Sequence, residues 1–501
     1  MMKRTAAVLL AGALLLAKGQ DRSYRPQFHF SPARNWTNDP CGLVYALGRY
    51  HLFFQFNPEG DQWGHMSWGH AVSSDLVRWT EMPVAIREDA GGMIFTGSSV
   101  TDRANTSGLC ARPGCIVSIY TGHRPKSASA PQVQNQNLAF SNDGIVWTKY
   151  TGNPVLDTGK ADFRDPKVFW HEPSRQWVMV VMLPRERKAQ FYGSPDLKRW
   201  RHLSDFGPAG ATGGDWECPD FYELPIDDDA KNTRWVLKIG LNPGHLAGGS
   251  GEQYFIGRFD GERFTNDNPP DRILWVDYGR DCYCEFTFNN DSNPPHALGW
   301  MNNWQYAGKV PTSPWRGQMT VPRTLSLRTT PEGVRLVQMP AAAIESLRER
   351  AFKFRGADIG VLNAKLAARS SGSSSYDLVA TIRPGAARQI AFKVLDALVG
   401  YDVRSGRIYV DRTHAGDVSF SPKFPSRTEA PAPLRNGALE LRILADRSSI
   451  EVFADDGLVV LTNLVYPKSP AALSLSADGT VDGIDLQLWQ LRSTWQRSHI
   501  R

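Results

Sequence analysis

The chain has 501 residues, of which 41% are hydrophobic, 11% aromatic and 22% charged. Such a chain buries enough apolar surface to offset its ordering entropy, which excludes disorder. The 44 Gly and 33 Pro follow no strict period, which excludes a collagen-like fibre. At about 100–200 residues per domain, the length predicts two to four domains, or one large domain with a companion.

The chain begins with Lys3-Arg4, an apolar run Ala6–Ala17, and small residues around Ala17-Lys18-Gly19. The run is too short for a membrane span, which takes about 20 residues. Residues 1–19 therefore read as a secretory signal cut after Gly19. The cut removes Lys3, Arg4 and Lys18 and lowers the net charge from +6 to +3. With so small a charge and no Lys/Arg-rich run, nucleic acid is not an expected partner. The mature chain is expected to be secreted or periplasmic, with no membrane partner. The sequence leaves monomer and homodimer open.

A degenerate repeat follows. Asp75, Asp143, Asp196 and, more faintly, Asp260 each precede an aromatic by four positions: Trp79, Trp147, Trp200 and Phe264. Each copy lies between strand-like runs, where an Asp-containing turn belongs. The Asp-to-Asp steps are 68, 53 and 64 residues, a period suited to four-stranded propeller blades. The mean step divides residues 24–338 into about five blades. Residues 339–352 change texture, and Pro340–Arg348 carries helix formers after a proline, which predicts a short linking helix. Beyond it strand patterns return, with alternation over Leu439–Ile443 and, more loosely, Ile408–Asp411. Ser370–Ser375 and Ala430–Pro433 read as loops. The expected class is all-β: a five-bladed β-propeller over 24–338, then a β-sandwich over 353–495.

Six cysteines in an exported chain permit disulfides. Cys110 and Cys115 bracket a short loop and are candidates to pair. Cys41 and Cys218 are expected to be free, and Cys282 and Cys284 are too close to bridge each other within one strand. There is no Cys-x-x-Cys pair and no His-Glu-x-x-His, so neither a metal nor a cofactor is expected. No nucleophile elbow, phosphate loop or dinucleotide fingerprint is present. Of the histidines near Trp68, His65 and His70 read as structural. Asn35, Asn105 and Asn290 spell glycosylation sequons.

Three segments place an acid beside proline and aromatics: Trp36-Thr37-Asn38-Asp39-Pro40, Phe163-Arg164-Asp165-Pro166 and Trp216-Glu217-Cys218-Pro219-Asp220. Each alone is a common turn. Their separations, 126 and 52 residues, put them on different blades, whose innermost strands converge on one axial channel. Facing carboxylates are the equipment of glycoside hydrolysis, one as nucleophile and one as acid/base.

These segments, with Phe53–Pro58, Trp68-Gly69-His70-Ala71, Phe95-Thr96-Gly97-Ser98, Asp277-Tyr278-Gly279, Gly299–Trp304 and Ser448–Phe453, resemble glycoside hydrolase family 32, the β-fructofuranosidases, levanases, inulinases and fructan exohydrolases. The resemblance covers nearly all of the mature chain and implies a five-bladed propeller joined to a sandwich. It implies that Asp39 is the nucleophile, Glu217 the acid/base and Asp165 a transition-state stabiliser. It implies substrate contacts from Trp36, Asn38, Gln55, Trp63, Phe95, Thr96, Ser98, Arg164, Asp277 and Trp304. The expected substrate is a fructan (levan or inulin) or sucrose, cleaved with retention. A fructosyltransferase with the same first step and a non-catalytic carbohydrate-binding propeller are the alternatives; an inverting five-bladed glycosidase acting on pentose polymers is a third. The sequence departs from the family at Cys41-Gly42, where Asn-Gly is usual, and at Cys282-Tyr283-Cys284.

Overall fold

A computed structural model describes residues 23–495 except 128–129, 292–293, 371 and 469–471. The export signal expected over 1–19 lies outside the described residues.

Five four-stranded blades succeed one another along the chain, the last two joined into one eight-stranded sheet by the pairing of Ile226 with Leu327. Blade 1 consists of Asn35–Ala46, Arg49–Phe56, Ser67–Ser73 and Trp79–Ile86; blade 2 of Met93–Asp102, Cys115–Arg124, Val133–Ser141 and Thr148–Lys149. Blade 3 consists of Arg164–His171, Gln176–Leu183, Lys188–Ser194 and Arg201–Phe206; blade 4 of Asp215–Ile226, Asp229–Asn242, Gly251–Phe259 and Phe264–Asn266. Blade 5 holds Tyr283–Thr287, His296–Trp300, Arg323–Thr330 and Gly333–Pro340. The first strand of each blade packs on the first strand of the next, and that of blade 5 on that of blade 1, which closes the ring. Short parallel pairings seal the closure, Asn35 and Trp36 with Trp315 and Arg316, and Val44 with Asn289.

The repeated aspartate has one local job. Asp75, Asp143, Asp196 and Asp260 each accept two backbone N–H bonds, from the residues two and three positions on, at 2.7–3.1 Å. Each therefore makes an Asx turn between the third and fourth strands of blades 1–4. The corresponding turn of blade 5, Thr330–Gly333, uses the Thr330 hydroxyl instead, so that blade carries no copy of the repeat.

After a 3-10 turn at Ala342–Leu347, two antiparallel sheets of six and five strands stack face to face. Leu378, Ile443, Val452 and Leu486 of one sheet and Phe392, Val399 and Val410 of the other fill a single core, as alternating strands require. The strand reading of this region misses an α-helix, Ile359–Ser370. Asp358 caps it by accepting from the Val361 amide, a common N-cap arrangement, and Leu362 and Leu366 face the core. The proline-rich stretch read as loop is partly an edge strand, Arg427–Pro431, where a missing N–H is tolerated.

Propeller and sandwich meet through buried charge. His29 lies between Asp446 and Glu451, its Nδ1 2.9 Å from Asp446 and its Nε2 2.9 Å from Glu451. Arg323 of blade 5 reaches Glu451 at 2.7 Å and Asp277 at 3.2 Å. Arg412 of the sandwich pairs with Asp281 and bonds the Tyr306 hydroxyl at 2.7 Å.

Candidate active site

One irregularity recurs at the same level of the propeller. In every blade the first strand carries one residue more than its partner: between Thr37 and Pro40, Ile94 and Gly97, Arg164 and Lys167, Glu217 and Asp220, and Tyr283 and Phe286. These are β-bulges, which bend a strand and re-aim its side chains. In blades 3, 4 and 5 the bulge places Asp165, Cys218 and Cys284 at φ of +66°, +50° and +48°. Non-glycine residues pay for such a conformation, and it concentrates at functional sites.

The bulges surround a cavity of about 370 Å³ at one mouth of the axis. Ten of the thirteen residues assigned from sequence line it: Asp39, Asp165, Glu217, Asn38, Gln55, Trp63, Phe95, Thr96, Arg164 and Trp304. His123, Gln134, Cys218, Asn242 and Tyr283 line it as well. Trp63 stands at the rim, 47% exposed, edge-on to Phe95, and Phe95 stacks on His123.

The three carboxylates are held differently. Asp39 is buried; its Oδ2 accepts from the Thr96 hydroxyl at 2.8 Å, and its Oδ1 has no protein partner. Burial pushes its acid up to about 6, with the charge of Glu217 adding to the rise and the neighbouring Asn38 amide and Thr96 hydroxyl opposing it. Asp165 accepts from the Cys218 amide at 2.9 Å. Burial pushes it up to about 7 against the pull of the Arg164 guanidinium. Glu217 is partly exposed and gripped at both oxygens, by Arg164 at 2.6 Å on Oε1 and by the Tyr283 hydroxyl on Oε2. A second buried polar atom without a partner, Gln55 Nε2, belongs to the same wall. His123 is pushed down to about 4 by burial and by Arg164, so at neutral pH Arg164 is the one cation among these side chains.

Three assigned residues lie elsewhere. Trp36 is buried behind the wall; its indole N–H donates to Asn38 Oδ1 at 2.7 Å and its ring stacks on Trp304. Ser98 accepts from the Val168 amide at 2.8 Å and ties blade 2 to blade 3. Asp277 accepts from the Gly279 and Thr462 amides and pairs with Arg323, so it serves the seam with the sandwich. The cysteine expectations divide too. Cys110 and Cys115 are bonded, and Cys41 and Cys282 are free. Cys218, expected to be free, is joined to Cys284 across blades 4 and 5. Ligand atoms of Asp39, Cys218 and Cys284 lie within 4.8 Å of one another, but the two sulfurs are spent on each other. His70 is buried and bonded to His51 at 3.1 Å, whereas His65 is a surface residue paired with Glu88.

Tyr283 was missed although a signal existed. Glu217-Cys218 and Tyr283-Cys284 occupy the same place in successive blades, a cavity residue followed by a cysteine at the bulge. At the Cys41-Gly42 departure, Gly42 has φ +60° and a Cβ there would lie 2.7 Å from Phe53 and Trp68. The glycine is thus required by the turn, and the preceding position tolerates a buried thiol.

The model of the glycosyl hydrolases family 32 N-terminal domain matches residues 29–340, and that of the family 32 C-terminal domain matches 343–490. A levanase of Bacillus subtilis (strain 168) is 44% identical over 99% of this chain and 76% of its own length. An extracellular exo-inulinase of Aspergillus awamori is 39% identical over 99% of each chain. The crystal structure of exo-inulinase from Aspergillus awamori superposes with a TM-score of 0.86 at 37% identity, over 95% of this chain and 99% of that one. A β-fructofuranosidase from Schwanniomyces occidentalis complexed with fructosyl-erythritol gives 0.83 at 33% identity, over 95% and 99%.

Proposed function

The chain belongs to glycosyl hydrolase family 32, and on that premise we propose that it is an exported, retaining hydrolase releasing fructose from terminal β-D-fructofuranosyl units of levan, inulin or sucrose. The observation that carries this reading is the convergence of Asp39, Asp165 and Glu217 on one cavity through bulges in three different blades. The names of the levanase and exo-inulinase relatives support both the substrate class and export.

In the first displacement Asp39 attacks the anomeric carbon of the fructosyl unit, while the Glu217 carboxyl gives its proton to the departing glycosidic oxygen. The free Oδ1 of Asp39 suits this role, because the attacking oxygen owes no bond to the protein. Thr96, on the other oxygen, fixes the carboxylate's orientation. In the second displacement Glu217 takes a proton from water, whose oxygen replaces Asp39 at the same carbon and restores the original configuration. Arg164, bonded to Glu217, stabilises the carboxylate that the second step needs. Asp165 lies where its hydroxyl contacts can strengthen as positive charge develops on the ring. Gln55, Asn38 and Trp304 supply the mixture of polar groups and aromatic surface that a sugar fits. With Asp39 raised to about 6, the attacking anion is lost as pH falls through that value, so kcat/KM should decline there.

The test is a substrate panel on the purified protein. Fructose should appear from sucrose, inulin or levan, first as the β-anomer by NMR. No fructose from any of them overturns the reading, and an inverted first product overturns the double displacement. Longer oligosaccharides at high sucrose would assign the second step to transfer rather than hydrolysis.

A further inference from the structure

The disulfide Cys218–Cys284 reaches the cavity wall through Cys218 and is not used by the chemistry above. It joins the first strands of blades 4 and 5 at the bulge residue of each. The residue before each cysteine is a cavity residue, and those two, Glu217 and Tyr283, are hydrogen-bonded to one another. The Cys218 amide holds Asp165, and its sulfur is 3.7 Å from Asp39 Oδ2. Both cysteines have left-handed backbones, a conformation that persists only where the surroundings over-determine it.

We propose that this disulfide is a positioning element for the acid/base, holding Glu217 against Tyr283, so that proton delivery to a sugar leaving group requires the oxidised form. The proposal rests on the reading of Glu217 as the acid. Reduction adds two electrons and two protons, giving two thiols. A water-soluble phosphine supplies the electrons and leaves as its oxide, with the oxygen and the protons drawn from water. Cys218 lines the cavity, so a small reductant reaches it by the route substrate takes, and bound fructose should slow the reaction. The other disulfide, Cys110–Cys115, links positions five residues apart and contributes nothing to the cavity wall.

A thiol count comes first. Protein denatured without reductant should show two thiols, which alkylation and peptide mapping should place at Cys41 and Cys282; alkylated Cys218 or Cys284 overturns the proposal. Next, kcat/KM is compared for sucrose and for 4-nitrophenyl β-fructofuranoside, whose nitrophenolate departs with little protonation. The wild type, the phosphine-treated wild type, Cys284→Ala, Cys110→Ser and Glu217→Ala are each assayed. Phosphine treatment and Cys284→Ala should each cut the sucrose value about 10–100-fold, within the range acid–base catalysis supplies, and the nitrophenyl value under about 3-fold. Reoxidation should restore the treated wild type, and Cys110→Ser should match untreated enzyme. Equal losses on both substrates, or no loss, overturn the positioning role. If Glu217→Ala shows no preference for the activated substrate, the failure belongs to the acid assignment, which the thiol count does not touch.

Discussion

Two buried clusters of acids in this molecule behave in opposite ways. At the cavity, the guanidinium of Arg164 reaches Asp165 and Glu217 but not Asp39, and burial drives Asp39 and Asp165 upward to about 6 and 7. At the seam with the sandwich, Asp446 and Glu451 are fully buried, yet both stay below the usual carboxylate range. Burial there also opposes ionisation, but His29 and backbone amides on Asp446, and Arg323 with His29 on Glu451, outweigh it. The difference teaches that burial alone does not mark a reactive carboxylate. The balance of charge and hydrogen bonds around the carboxylate sets its protonation.

The largest effect that sharpens this contrast is on rate. Asp39→Ala and Glu217→Ala should each lower kcat/KM on sucrose or inulin roughly 10⁴-fold or more, about 5 kcal/mol of barrier. Thermal unfolding should show both variants still folded. A loss confined to stability would place these acids with the seam instead.

The mirror experiment is Arg323→Ala. It leaves Glu451, Asp277 and Glu285 without the cation they share. Removing one member of a buried charge network costs about 3–5 kcal/mol. Denaturant unfolding should register that loss, while the pH profile of whatever folds stays unchanged. A shifted profile would mean that the two clusters are electrically one.

Their pH signatures should also separate. His29 is fully buried, which disfavours its charge, but its bonds to Asp446 and Glu451 raise it to about 9. A raised folded value means that stability from the imidazolium is complete below about 6.5 and is lost as pH rises towards 9. His29→Gln should abolish that slope. Asp39 gives the reverse comparison. Its raised value makes the folded chain hold a proton more tightly than the unfolded one, so its ionisation lowers stability between about 3.8 and 6. Asp39→Asn should therefore gain on the order of 2–3 kcal/mol over wild type at pH 8, relative to pH 3.5. Urea titrations at several pH values read both slopes.

The sequence carried what is local. The blade count was legible because each Asx turn is made by one aspartate and the next few amides. The three acids were legible because each sits in its own proline-bearing segment. Facts set by closure of the ring were not. The Cys218–Cys284 bond spans 66 residues, and nothing near either cysteine announces the other. Asp277 is assigned to the cavity by the family resemblance of Asp277-Tyr278-Gly279 alone. Its direction is decided by Thr462, 185 residues away. Ile359–Ser370 was missed because one helix amid strands leaves a short signal, in which two buried leucines four apart are the main clue.

Trp36 belongs to neither cluster and tests how far the cavity's organisation reaches behind its wall. Its ring backs Trp304, and its N–H orients Asn38 beside the attacking carboxylate. Trp36→Phe keeps an aromatic ring and deletes the N–H, leaving Asn38 Oδ1 to find another donor. A neutral hydrogen bond is worth about 1 kcal/mol, roughly a fivefold change. That change should fall on KM for sucrose or inulin, because Asn38 faces substrate, with kcat nearly untouched. A 100-fold fall in kcat would instead make Asn38, held by Trp36, part of what orients Asp39. An unchanged KM would mean that packing against Trp304 is all that Trp36 contributes.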